Sequence, residues 1–159
     1  MEYFGIVLLI KHPSLDPALI TSQLKLKPFS SAKAGEPRST PKGTLLPGIW
    51  SETSWNHIFK YNRKLPLFDE LERLLIQLSA HKGFFQKISN EGGHAEVYLQ
   101  LPGKIHHGSS AKPSMLALIT ELGLHFGIEV FPEWGKESHL PLKGITKFPI
   151  QRKRSGKNR

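Results

Sequence analysis

His94-Ala95-Glu96 sets an imidazole and a carboxylate two residues apart. In an extended chain that spacing puts both on one face, the start of a metal or proton-transfer site. In zinc deaminases the same His-x-Glu works with a Pro-Cys-x-x-Cys partner. This chain has no cysteine, which excludes that chemistry along with disulfide frameworks, thiolate metal sites and cysteine nucleophiles. A polar strand face is the better account of His94 and Glu96, because Ala95 opens an apolar alternation on the opposite side. His106-His107 stand in a Gly/Ser loop with no third ligand at a recognisable spacing. There is no phosphate-binding glycine loop, no Gly-x-Ser-x-Gly elbow and no His-Glu-x-x-His. Lys42-Gly43-Thr44 reads as a turn, and Glu70 and Glu72 fall on the polar side of a helix, where solvation is their usual meaning. No catalytic set, metal site or cofactor is expected.

One stretch mixes cations with aromatic rings: Lys33, Arg38 and Lys42 in a long loop, then Trp50 and Trp55. Such residues stack on bases or hold anionic ligands, although they also occur where a strand edge packs on a core. This is the candidate binding region. The two tryptophans are five residues apart, so one strand carrying both would face them to opposite sides. Trp50, just after Gly48, is expected to lie buried beneath the 29–48 loop against Phe29 and Leu45 or Leu46, leaving Trp55 the more tolerant position.

The elements that position these residues follow from periodicity. Residues 3–11 form an apolar run without alternation, a strand buried on both faces. Ser14 or Asp16 caps a helix over 16–25, with Pro17 in its first turn and Leu15, Leu19, Ile20 and Leu24 as its stripe. From Phe29 to Gly48, six Gly or Pro residues leave room for a short edge strand at most. A strand at 49–55 follows. The clearest helix is 67–79, with Leu71, Leu74, Leu75 and Leu78 opposite Glu70, Glu72, Arg73 and Gln77. Phe84, Phe85 and Ile88 suggest a short helical turn before Asn90-Glu91-Gly92-Gly93. Residues 94–101 alternate as a half-buried strand. A helix over 113–122 ends at Gly123, and 126–131 is a last strand. The fold class is therefore α+β, with a mainly antiparallel sheet and helices on one face. Ala18-Leu19-Ile20-Thr21 and Ala117-Leu118-Ile119-Thr120 match well enough to suggest two duplicated βα halves in a ferredoxin-like arrangement.

The chain reads as one domain over 1–133 and a basic, disordered extension over 134–159. Of the net charge of +9, Arg152, Lys153, Arg154, Lys157 and Arg159 carry five in the last nine residues, leaving four. The longest apolar run, Phe4 to Ile10, is far short of the roughly 18 residues of a membrane span, and no export signal precedes it. A cytoplasmic protein with no membrane partner is expected.

With these landmarks in place the chain resembles, over roughly residues 3–131, the bacterial family catalogued as domain of unknown function forty-two seventy-nine. The resemblance rests on the opening apolar strand, Leu15-Asp16-Pro17, Leu24-Lys25-Leu26-Lys27-Pro28, Gly35, Gly48-Ile49-Trp50-Ser51, the Leu-rich central helix, and Ser114-Met115-Leu116-Ala117-Leu118-Ile119 through Leu122-Gly123-Leu124. It implies no agreed activity; by association, members act in bacterial competition systems, some as toxin-neutralising immunity proteins. The expected function is thus a non-enzymatic protein-binding domain of immunity type, with an acidic protein as partner. The alternative is nucleic-acid or polyanion binding through the tail and the Trp-bearing loop.

Overall fold

The structure, a computed structural model, describes residues 5–61, 65–103 and 108–131. A five-stranded sheet is its frame, in the order β2-β5-β1-β6-β7. The central strand β1 (Gly5–His12) is the apolar run read from the sequence, and it pairs antiparallel with β5 (Thr53–Phe59) and β6 (His94–Pro102). Beyond β5 lies the short antiparallel β2 (Ser30–Ala32); beyond β6 lies β7 (His125–Phe131), the one parallel neighbour. The sheet is thus mainly antiparallel, as expected.

Period-two alternation divides the sheet's faces. Ile6, Leu8 and Ile10 of β1, Trp55 of β5, and Ala95, Val97 and Leu99 of β6 point to one side, where they share a core with the helices. That core is closed by Ile20 and Leu24 of α1 (Pro17–Leu24), by Leu71, Leu74, Leu75 and Leu78 of α2 (Leu67–Leu78), by Phe85 and Ile88 of α3 (Lys82–Asn90), and by Met115, Ile119 and Leu122 of α4 (Pro113–Leu122). Among the described residues all four α-helices lie on one face. The other face carries Val7 and the polar residues of β6. Among the described residues no helix is long and apolar enough to cross a membrane.

The start of α1 and the end of α4 follow the capping rules. The Asp16 carboxylate accepts the Ala18 N–H at 2.8 Å and Pro17 occupies the first turn. At the end of α4, Gly123 takes a φ of 64°, and the Leu124 N–H donates to the Ile119 carbonyl at 3.1 Å. His12 fixes the turn between β1 and α1: its Nδ1 accepts the N–H groups of Ser14 at 3.1 Å and Leu15 at 2.8 Å. With Nδ1 an acceptor, the ring's proton sits on Nε2 and is donated to Glu91 Oε2 at 3.1 Å. Gly93 allows this ring its place, since a Cβ there would stand 2.9 Å from His12 Cδ2 and 2.8 Å from the Ile88 carbonyl oxygen.

Three expectations change. The strand foreseen at 49–55 is two elements: β4 (Leu45–Ile49) ends before Trp50, the chain bends at 51–52, and β5 begins at Thr53. The 29–48 loop holds β2 and a separate hairpin of β3 (Pro37–Ser39) with β4, more than the single edge strand that its Gly and Pro content suggested. The short turn around Phe84 is a full helix, joined to α2 through a 3-10 turn over Ser79–His81. The ferredoxin-like duplication is unconfirmed. β6, α4 and β7 form a β-α-β unit whose parallel strands are neighbours, whereas β1 and β2, which flank α1 and also run parallel, are separated in the sheet by β5. The extension at 134–159, with Arg152, Lys153, Arg154, Lys157 and Arg159, lies outside the described residues, as do His106 and His107.

Candidate functional site

The candidate site is the β3–β4 hairpin and the segment that roots it in the sheet. At its base the Gly35 N–H donates to the Trp50 carbonyl at 2.8 Å, and the Trp50 N–H returns to the Glu36 carbonyl at 2.9 Å. Pro37 then faces Ile49 and Ser39 faces Leu45, with an irregularity between them. At the tip, the Thr40 N–H donates to the Thr44 carbonyl and the Gly43 N–H to the Thr40 carbonyl, both at 2.8 Å. Gly48, at a φ of 87°, supplies a conformation that a side-chain-bearing residue rarely adopts, and the Arg38 side chain lies 3.9 Å from where its Cβ would be.

Every residue of β3 and β4 is exposed. Leu45 is 73% and Ile49 63% exposed, and Leu46 and Phe29 also face solvent. The Arg38 guanidinium lies 5.5 Å from the Trp50 ring centroid, a cation-π arrangement. The five residues proposed from the sequence therefore separate. Trp50 is half-buried and forms a platform under Arg38, correcting the expectation that its indole would be covered by the loop. Lys42 is exposed at the tip, and neither Arg38 nor Lys42 makes an ion pair with a described residue.

Lys33 is engaged at the hairpin's root, its Nζ 2.7 Å from Asp16 Oδ2. The lysine's hydrogen bond, assisted by the Ala18 N–H, holds the Asp16 carboxyl below the usual carboxylate range; the same bond raises Lys33. Trp55 is fully buried, its indole N–H donating to Thr21 Oγ1 at 3.0 Å, so it ties β5 to α1 and presents nothing to a ligand. Sequence reasoning missed Leu45, Leu46 and Ile49 as surface residues. Their signal was present in β-branched and aliphatic residues packed between Gly and Pro, a composition equally suited to a buried loop.

The other polar groupings are weaker. His94 and Glu96 share the sheet's outer face, as their spacing requires, with Nε2 3.4 Å from Oε2. β7 brings His125 beside them, its ring centroid 4.1 Å from that of His94. No group of three metal-ligating side chains is disposed to hold an ion among the described residues. Glu70 departs from the solvated role expected of it: it is fully buried, and Arg73 clamps it with bonds of 2.9 and 2.7 Å. The bidentate hydrogen bonding raises Arg73 above its ordinary value. Lys112, just before α4, reaches Asp69 Oδ1 of α2 at 2.6 Å, so the acidic side of that helix serves packing between helices.

The family described as domain of unknown function (DUF4279) matches residues 1–131. The chain belongs to this family. Its match ends at Phe131, the last residue of β7, so the family region takes in the whole sheet, the hairpin and the helical layer. No curated protein and no solved structure matches the chain.

Proposed function

We propose that the protein is a non-enzymatic binding domain whose contact surface is the β3–β4 hairpin with Trp50 at its root, and that its partner is a protein with an acidic surface. The observation that carries this reading is the hairpin's composition at its exposed positions: Leu45, Leu46 and Ile49 lie beside Arg38 and Lys42, which form no ion pair among the described residues, and a half-buried tryptophan. Trp and Arg are residue types enriched at interface hot spots, and exposed aliphatic residues beside them add apolar contact area. The cations would steer an acidic partner and raise its association rate more than its final affinity. An immunity-type role, occupying and neutralising a bacterial toxin in the cytoplasm, is the specific form suggested by the family resemblance.

The test is co-expression with the product of the neighbouring gene. The complex and any protection from toxicity should be present with the wild type and lost with Arg38→Glu or Trp50→Ala, both with unaltered circular dichroism. An intact complex with both variants would move the interface elsewhere. A polyanion-binding reading remains as second choice because five of the nine net charges sit in the last nine residues. Its signature is an affinity for duplex DNA that falls steeply with salt.

A further inference from the structure

β7 closes one side of the sheet, and among the described residues its strand neighbour is β6 alone. Its helix-side residues Phe126, Ile128 and Val130 stand in register with Val97, Leu99 and Leu101 of β6. Yet the helical layer covers them only in part: Phe68 of α2 lies against Phe126, at 6.2 Å between ring centroids, and the three residues are 36%, 56% and 56% exposed. Edge strands are ordinarily protected by lysine, proline, bulges or brevity. β7 has seven residues, with neither lysine nor proline among them. Its outer face alternates His125, Gly127 and Glu129 with that apolar row. A strand that would match it must repeat the same alternation, and β7 itself does so.

We propose that the protein associates with a second copy of itself through β7, joining the two five-stranded sheets into one continuous antiparallel seam. Centred on Gly127, the two-fold arrangement sets Phe126 against Ile128 of the other copy on the apolar face. On the polar face it sets His125 against Glu129 in both directions, a complementary pairing. Centring on Ile128 would instead place His125 opposite Phe131 and Glu129 opposite Gly127, so charge selects the first register. Gly127 suits the axis: Glu96 and Tyr98 of the same copy already lean over the space its Cβ would take, with Tyr98 Cβ at 3.2 Å. The hairpin lies between β2 and β5 in the chain, at the opposite side of the sheet. Pairing through β7 therefore leaves both hairpins free.

Sedimentation equilibrium of the full chain tests this, with circular dichroism confirming that each variant is folded. The wild type should sediment at twice the chain mass and Ile128→Lys as a monomer. His125→Glu and Glu129→Lys should each raise the dimer dissociation constant roughly tenfold, because each removes both cross-strand pairs. The double variant H125E/E129K restores opposite charges in that register alone and should return the constant to near the wild-type value. A wild-type chain that stays monomeric at every concentration reached, including one whose edge is occupied by its own residues 132–159, overturns the proposal. So does a dimer indifferent to Ile128→Lys, or a double variant no tighter than the single ones.

Discussion

At the scale of single residues the two tryptophans carry opposite duties. Trp55 is enclosed by the core and bonded to Thr21, so Trp55→Ala removes a large buried ring and should cost about 3–5 kcal/mol. Trp50→Ala should cost under about 1 kcal/mol, since the ring is half-exposed and its loss vacates no core. Urea midpoints of the two variants measure the difference. The sequence points to the reverse assignment because Gly48 precedes Trp50 and the loop has few apolar residues of its own, while parity along one strand from Ile49 to Trp55 sets the two rings on opposite sides. The bend at 51–52 breaks that count. Tyr98 gives a second residue-scale consequence. Burial first, and then the nearby Glu129 and Glu96 carboxylates, raise its phenol above its ordinary value of 10.0. Above about pH 10 the unfolded chain releases this proton while the folded one keeps it, so stability falls with pH by up to about 1.4 kcal/mol per unit. Tyr98→Phe should flatten that part of the decline when urea midpoints are compared between pH 9 and 11.

Elements were legible in proportion to their periodicity. α2 and α4 were bounded to within a residue because their Leu and Ile stripes run for three turns, and α4 also ends at a clear stop signal, Gly123. β6 was equally plain from its alternation. The hairpin was not, since its strands pair with each other and every residue in them is exposed, so no buried face imprints a period on them. α3 was foreseen as one turn because Gly83 near its start weakens the helical signal. In the structure Gly83 is helical, lacks a positive φ, and has open space where a Cβ would be. Gly83→Ala should therefore stabilise the domain by about 0.5–1 kcal/mol, through the lower entropy of the unfolded chain, and raise the urea midpoint accordingly. A lower midpoint would mean that this first turn is held by something other than helix propensity.

For the whole molecule, the distribution of charge and core sets the last expectation. Among the described residues the core cluster runs from Ile6 to Leu124. Residues 134–159 hold eight Lys or Arg and one Glu, so they account for seven of the nine net positive charges and leave two for residues 1–133. Stability and polyanion affinity should then respond independently to deletion of 134–159. The urea midpoint should stay within the equivalent of about 0.5 kcal/mol, because the family match, which takes in the whole sheet and the helical layer, ends at Phe131. Any affinity for duplex DNA should drop sharply, and the slope of log affinity against log salt should shrink by about 0.9 for each phosphate no longer neutralised. If the slope is unchanged, the hairpin cations Arg38 and Lys42 are the ones touching phosphate, and Arg38→Glu should abolish the remainder. If the slope collapses while the Arg38-dependent protein complex persists, the hairpin and the tail serve separate partners.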